Sequence, residues 1–151
     1  MRVAAAALAL LLCGGSVANA AATACYRHAE AVADQAIRYT TEIMVMSDTC
    51  RNETYDRFQM RNRSELVKFQ ELLKEHFRRS GGSAQSKLDA FMTHLANEAA
   101  LRTGTQDINQ VCSVAVQFLA TADTMSGEGF QQYAESQLKE HGRDYKLCKE
   151  R

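Results

Sequence analysis

The residues of this chain that are best able to do chemistry are its five cysteines and four histidines. Four of the cysteines lie far apart in the sequence and form no C-x-x-C pair; they are Cys25, Cys50, Cys112 and Cys148. The spacing therefore favours neither a thioredoxin-like redox site nor a zinc ribbon, and no C-x-x-C-H motif is present to attach a c-type haem. Cysteines spaced in this way are typical of structural disulfides in exported proteins.

The fifth cysteine, Cys13, lies in a segment with the features of a signal peptide. A short, positively charged start is followed by an apolar run over residues 3–13. Ala-Asn-Ala at 18–20 then supplies the small-x-small pattern that signal peptidases cleave. We predict a signal peptide over residues 1–20, with cleavage after Ala22 as the alternative.

Removal of this segment would leave one domain, residues 21–151, with an even number of cysteines. We therefore predict a periplasmic or secreted protein in which disulfide bonds form. A lipoprotein anchor at Cys13 is less favoured, because Leu12 stands where a small residue is required. After the signal peptide, no apolar run approaches the ~20 residues that a transmembrane helix needs.

The composition is typical of a single helical domain. Hydrophobic residues make up 46% of the 151 residues and charged residues 24%, and the net charge is zero. These values exclude a disordered chain and a polybasic nucleic-acid binder. The chain has no proline, which favours long and uninterrupted helices.

The pattern of apolar residues predicts an all-α fold, an antiparallel bundle of about five helices stapled by disulfides. The clearest repeat runs from Cys25 to Cys50, where apolar residues alternate spacings of four and three. Ser86 is predicted to cap the third helix. Because the connections are short, consecutive helices are expected to run antiparallel. The other four segments cover about residues 55–77, 86–99, 108–122 and 130–141.

This helix order predicts which cysteines meet. Cys50 at the end of the first helix and Cys112 near the start of the fourth lie at the same end of an antiparallel bundle. Cys148 reaches Cys25 if Gly142 ends the last helix and the tail turns back. We favour the pairs 50–112 and 25–148, and the other two connectivities of four cysteines stay open.

The histidines predict no catalytic or metal site. A di-metal carboxylate bundle needs Glu-x-x-His motifs, and none occurs here. His94 and Glu98 are four residues apart, which favours a surface pair over a metal site. His76 and His141 each end a Lys-Glu-His sequence near a predicted helix C-terminus, where a cation is favourable. Since no serine or cysteine lies in a nucleophile elbow either, we expect no enzyme, no metal and no cofactor.

Two groups of residues are candidates for a partner surface. Residues 51–79 hold eight basic and five acidic residues, a local charge of +3 that suits anionic headgroups, cell-wall polymer or an acidic partner. A solvated helix face is the alternative. Thr93, Asn97 and Glu98 form either polar contacts between helices or a partner surface. The basic candidates in the first group are Arg57, Arg61 and Arg63.

Residues from about 49 to 112 resemble a family of exported bacterial all-helical proteins of unknown function. The resemblance covers less than half of the chain. It implies export, an all-α bundle and disulfide bonds, and it brings no catalytic residues. It rests on Thr49-Cys50, Tyr55-x-x-Phe58, Glu65-Leu66-Val67, Leu72-Leu73-Lys74, Phe77-Arg78-Arg79 before Gly81-Gly82, Leu88-Asp89-x-Phe91-x-Thr93-x-Leu95-Ala96-Asn97-Glu98 and Val111-Cys112.

These features together predict a periplasmic helical protein that acts by binding rather than by catalysis. The expected partner is a protein or an envelope component, and the expected role is that of an envelope accessory, a chaperone-like protein or a toxin-neutralising partner. The alternative is a carrier of a small molecule or haem, with a cavity between the helices lined by methionines and aromatic residues.

Overall fold

The chain folds into six α-helices and one short 3₁₀ turn over residues 24–149, which are the residues that this computed structural model describes. No strand forms among them, and the predicted all-α class is confirmed. The predicted signal peptide, residues 1–20, lies outside the described residues. The elements are α1 (His28–Thr49), α2 (Thr54–Arg61), α3 (Arg63–Arg79), α4 (Ala84–Gly104), α5 (Ile108–Thr124), α6 (Glu128–His141) and the 3₁₀ turn Gly142–Asp144.

Helix α1 is the centre of the fold and contacts each of the other five α-helices. Every residue from Glu30 to Ile37 is buried. Alanines on several sides of α1 allow its neighbours to approach closely. The predicted apolar seam is buried at Val32, Ala36, Tyr39 and Ile43, but its member Ala29 is exposed. The other helices thus surround α1 instead of covering only its predicted apolar stripe.

The predicted number of about five helices is wrong, because the second predicted helix is divided at Asn62. The backbone of Asn62 leaves helical geometry (φ −108°, ψ 19°), and its side chain is fully buried. Its amide Nδ2 donates to the carbonyl of Met125 at 3.1 Å, and its Oδ1 accepts the backbone N–H of Gly127 at 2.9 Å. Asn62 therefore fixes the α5–α6 connection to the α2–α3 junction.

Aromatic side chains from four helices form the core beside α1. Phe130 of α6 makes edge-to-face contacts with Phe58 and Phe69, at centroid distances of 5.0 and 5.4 Å. Tyr39 of α1 contacts Phe118 of α5 in the same manner at 5.3 Å. Such geometry is the favoured one for aromatic pairs and adds to the hydrophobic effect of burial.

The turn between α3 and α4 contains the predicted glycine breaker. Gly81 and Gly82 have φ of 77° and 80°, the left-handed region that favours glycine. The prediction that Ser86 caps the next helix is wrong. Ser83 is the cap, and its hydroxyl accepts the backbone N–H of Ser86 at 3.3 Å. The helix accordingly begins earlier than its apolar periodicity indicates.

The disulfides in the structure are Cys25–Cys148 and Cys50–Cys112, with Cα–Cα distances of 4.9 and 5.5 Å. These are the pairs favoured from the sequence. Helix α6 ends at His141, and the tail then returns to the start of the domain. There the backbone N–H of Tyr26 donates to Lys146 at 2.9 Å, and the N–H of Cys148 donates to Tyr26 at 2.8 Å.

The antiparallel arrangement of consecutive helices stays a prediction. None of the helices within residues 24–149 combines the length and apolar character that crossing a membrane requires.

The contacts of Asn62 predict a large effect of its removal. We expect Asn62→Ala to lower the free energy of unfolding by about 2–3 kcal/mol, because buried carbonyl and N–H groups lose their partners. Asn97→Ala, at an exposed position of α4, is the control and should change it by less than ~0.5 kcal/mol. Urea unfolding of the oxidised protein measures both values. Equal effects of the two substitutions would show that Asn62 does not fix this junction.

Candidate functional site

A cavity of about 470 Å³ lies between α1, α6 and the C-terminal tail. We call it the tyrosine cavity. Its volume is within the range of small-molecule sites. Four tyrosines line it, together with polar and charged side chains from the same three segments. The tyrosines are Tyr26, Tyr39, Tyr133 and Tyr145, and the charged groups are Asp34, Arg38, Glu42 and Asp144, with His141 beside them.

Asp34 is the most buried charged group of the cavity wall, with 1% of its surface exposed. Its Oδ1 accepts a hydrogen bond from the Tyr145 hydroxyl at 2.7 Å, and its Oδ2 accepts one from the Tyr26 hydroxyl at 3.2 Å. The guanidinium of Arg38, one turn further along α1, donates to the same carboxylate. Residues from both ends of the domain therefore satisfy a carboxylate that would otherwise be very costly to bury.

The tyrosine hydroxyls around Asp34 are held in their protonated form. Burial and the adjacent carboxylate of Asp34 raise the pKa of Tyr26 and of Tyr145. At neutral pH these hydroxyls act as hydrogen-bond donors and not as general bases. The Tyr145 hydroxyl also accepts a hydrogen bond from the Gln35 side chain at 2.8 Å, so its orientation is fixed.

Two further tyrosines form the part of the wall nearest α6. The rings of Tyr39 and Tyr133 pack at a centroid distance of 4.2 Å with an interplanar angle of 42°. Tyr39 is 5% exposed. Among the described residues neither hydroxyl has a hydrogen-bond partner. Burial and the charge of Glu42 contribute to a raised pKa of both groups, so both remain neutral donors.

An ion pair with a buried carboxylate lies at the start of α1, one turn before Asp34. Glu30 is 1% exposed, and Arg79 at the end of α3 donates to both of its oxygens, with an Nη2–Oε2 distance of 2.6 Å. The backbone N–H of Arg27 donates to Glu30 at 2.8 Å. Burial opposes ionisation of Glu30, but the hydrogen bonds from Arg79 and Arg27 outweigh burial and lower its pKa.

His76 is buried between this ion pair and the tyrosine cavity. His76 lies in the last turn of α3, as predicted, but it is only 5% exposed, and burial does not favour the cation expected at this helix end. Its ring stacks on Tyr26 at a centroid distance of 3.7 Å. Its Nδ1 has no hydrogen-bond partner in the described residues and lies 3.6 Å from Oε2 of Glu30. Burial lowers the pKa of His76, so the ring is neutral at pH 7.

The three arginines predicted to contact a partner have different surroundings. Arg57 makes two hydrogen bonds to Asp123 of α5, at 2.7 and 3.2 Å. Arg61 lies 3.9 Å from the same carboxylate. Arg63 is exposed and has no ion-pair partner among the described residues. The first two therefore connect helices within this chain, which leaves less of the basic segment for a partner.

The other predicted surface group lies on α4. Thr93 and Asn97 are exposed and Glu98 is half-buried, so of the two sequence interpretations the structure favours a surface over contacts between helices. Glu98 lies 3.4 Å from His94, and both are solvent-accessible. Within residues 24–149, no three histidine, cysteine, aspartate or glutamate side chains form a group that could hold a metal ion.

An apolar groove of about 380 Å³ forms a second concave surface, between α1, α4 and α5. Met46, Val111 and Phe118 are among the residues that line it. Large apolar side chains are exposed on α4 and α5, including Leu101 (69%), Ile108 (55%), Val114 (73%) and Val116 (66%).

The polar groups of α1 are not predicted by its heptad seam. Glu30, Asp34 and Gln35 lie off the heptad seam, and a helix with one apolar stripe would expose them. The available signal was the number of alanines on the other sides of α1, at positions 31, 33 and 36. Small residues allow a helix to be buried on every side. Each charged group of such a helix then needs a hydrogen-bonding or ionic partner.

Fold and site together define a disulfide-bonded, all-helical protein with a polar, tyrosine-lined cavity. Comparisons of the chain with protein-family models, with curated proteins and with solved structures give no match.

The Glu30–Arg79 pair predicts that adjacent arginines differ in importance. We expect Arg79→Ala to lower the free energy of unfolding by about 2–3 kcal/mol, because Glu30 keeps a buried charge without its partner. Arg78→Ala is the control, because Arg78 pairs with Glu75 at the exposed surface, and it should have little effect. Urea unfolding compares the two. Similar losses would show that Arg79 does not stabilise the buried carboxylate of Glu30.

The neutral state of His76 predicts how stability depends on pH. Because the pKa of His76 is lower in the folded protein than its ordinary value of 6.5, the unfolded chain binds the proton first as the pH falls. The contribution of His76 is complete above pH 6.5 and is lost below it. The lowered pKa of Glu30 acts in the same direction, but only below its ordinary value of 4.5.

We therefore expect wild-type stability to fall from pH 7.5 to pH 5.5, and His76→Phe to reduce that dependence. Phenylalanine retains an aromatic ring against Tyr26 and cannot be protonated. His94→Phe, at an exposed position, should retain the wild-type dependence. Urea unfolding across this pH range is the measurement, and an unchanged slope in His76→Phe would contradict the assignment.

Proposed function

We propose that this chain is an exported, non-enzymatic binding protein and that the tyrosine cavity holds its small-molecule ligand. The sequence alone favours a protein or envelope partner first and a small-molecule carrier second. The tyrosine cavity reverses that order. Two disulfides are compatible with an oxidising compartment such as the periplasm.

The observation that carries the proposal is the pair of tyrosine hydroxyls at the cavity wall. The hydroxyl of a largely buried tyrosine is usually placed where it can form a hydrogen bond. The hydroxyls of Tyr39 and Tyr133 have none among the described residues, although each belongs to a largely buried ring. They line a concave site and are free to bind a polar group of a ligand.

Rigid surroundings support binding at this site. Tyr145, Tyr26 and Arg38 are fixed by hydrogen bonds to Asp34, and Asp34 belongs to the central helix. A site whose side chains are already ordered loses less conformational entropy when a ligand binds. The raised pKa of the tyrosines favours binding over catalysis, since neutral phenols are poor bases and nucleophiles. A haem is less favoured, because mainly polar side chains line the cavity.

Retention of small molecules tests the proposal. Gln137 of α6 lines the cavity, and Gln137→Trp should fill it. Gln132→Trp, on an exposed part of the same helix, is the matched control. The oxidised protein is incubated with a bacterial metabolite extract and analysed by native mass spectrometry. We expect a bound small molecule with the wild type and with Gln132→Trp, and none with Gln137→Trp. No bound species, or equal retention by both variants, would contradict the proposal.

The second candidate is contact with a protein or an envelope component. The observation that favours it is the apolar groove between α1, α4 and α5, in which Val114 is 73% exposed, since exposed apolar surface can mark an interaction site. In the same experiment, this function would give a macromolecular species that Gln137→Trp retains and that Val114→Glu loses.

A further inference from the structure

The charge of the tyrosine cavity identifies the class of ligand that suits it. Of the described side chains in its wall, three are carboxylates and one is a guanidinium. The carboxylates belong to Asp34, Glu42 and Asp144, and the guanidinium to Arg38. The cavity therefore has an excess of negative charge, which attracts a cation and repels an anion.

Arg38 is paired with Asp34, which offsets its positive charge. Its guanidinium Nε donates to Asp34, and the group lies 5.5 Å above the centre of the Phe91 ring. The side chain is 43% exposed, so Arg38 adds no net charge to the cavity wall but is not closed off from it. The Asp34 carboxylate, correspondingly, is neutralised by Arg38 and by two tyrosine hydroxyls, so the excess charge comes from the other two carboxylates.

Glu42 and Asp144 remain accessible. The side chain of Glu42 is 46% exposed, and its partner Arg102, at 3.1 Å, is 59% exposed, which makes their surface pair weak. Asp144 is exposed and has no ion-pair partner among the described side chains. Both carboxylates can therefore contact a ligand in the cavity.

Besides negative charge, a site for an organic cation needs aromatic rings, and the tyrosines supply them. The faces of aromatic rings attract ammonium groups, and clusters of aromatic rings bind quaternary ammonium ions. Four tyrosines line this cavity, and the rings of Tyr26, Tyr133 and Tyr145 are only half-buried, which leaves part of their aromatic surface accessible. Tyr39 is almost fully buried and packs on Tyr133. Their hydroxyls can bind a polar group attached to the cation.

We propose that the ligand of the tyrosine cavity is a small organic cation, an amine or a quaternary ammonium ion about the size of choline. This inference rests on the proposed function, that the cavity holds a small molecule. The ammonium group binds to the tyrosine rings, and the negative charges of Glu42 and Asp144 attract it. The same two charges repel anionic molecules.

Isothermal titration calorimetry of the oxidised full chain tests the charge of the ligand. The probes are choline, putrescine, acetate and 3,3-dimethyl-1-butanol, which has the shape of choline without its charge. We expect at least one of the two cations to bind, and to bind at least about tenfold more tightly than the neutral alcohol and acetate. Added salt should weaken cation binding.

Two substitutions test the position of the site, with a control matched in charge and exposure. Glu42→Gln should weaken cation binding about fivefold. Glu98→Gln removes the same charge from a side chain that is 45% exposed and lies outside the cavity, and it should have no such effect. Tyr133→Leu should weaken binding to a similar extent as Glu42→Gln by removing an aromatic face. Circular dichroism establishes that each variant is folded.

The outcomes separate this inference from the proposed function. If the neutral alcohol or acetate binds as tightly as the cations, and Gln137→Trp abolishes that binding, the cavity holds small molecules but the cation class is wrong. If Glu42→Gln and Glu98→Gln weaken cation binding equally, the cation lies elsewhere and the inference is overturned. If none of the four probes binds, the cation class is overturned, and retention from the metabolite extract alone then decides the proposed function.

Discussion

The carboxylate of Asp34 sits in the middle of the most buried part of the central helix, and its need for hydrogen-bond donors shapes the surrounding structure. Arg38 on the same helix satisfies part of that need. The rest comes from Tyr26, just before α1, and from Tyr145, 111 positions away in the sequence. Because Tyr145 follows α6, its hydrogen bond draws the C-terminal tail back to the start of the domain. Cys148 then lies beside Cys25, and the tail closes one side of the tyrosine cavity.

The neighbouring ion pair makes a similar connection for α3. Arg79 reaches the buried Glu30 at the end of α3, while Asn62 at the other end of that helix holds the connection between α5 and α6. Buried polar groups of this kind add little net stability compared with apolar side chains, but they tolerate few alternative partners. In this protein they position helix ends and a tail, whereas the aromatic residues around Phe130 provide the hydrophobic burial.

Much of the helical architecture could be predicted from the sequence, because helices and glycine turns are local properties. The periodicity around Val32 and Ile43, and the break at Gly81 and Gly82, depend on residues close in sequence. The division at Asn62 could not be predicted in this way, since its cause is a partner more than 60 positions away. Ser83 was not predicted as the cap because the apolar periodicity of α4 begins several residues after the helix itself.

Most of the site could not be predicted either, because contacts between residues far apart in the sequence create it. Glu30 and Asp34 look like solvated charges until α1 is known to be surrounded on all sides, and His76 looks like a helix-end cation until Tyr26 is known to stack on it. The tyrosines are scattered over four segments, and only the return of the tail brings Tyr145 to Tyr39 and Tyr133. Arg57 and Arg61, which local charge suggested as a partner surface, instead contact Asp123.

The energetic coupling between Asp34 and Tyr145 measures how strongly Asp34 holds the C-terminal tail. A double-mutant cycle of Asp34→Ala and Tyr145→Phe compares the free energies of unfolding of the wild type, both single variants and the double variant, with both disulfides intact. Since each substitution alone removes the same hydrogen bond, we expect a coupling free energy of about 1–2 kcal/mol. Additive effects, within ~0.3 kcal/mol, would show that Asp34 does not hold the C-terminal tail in place.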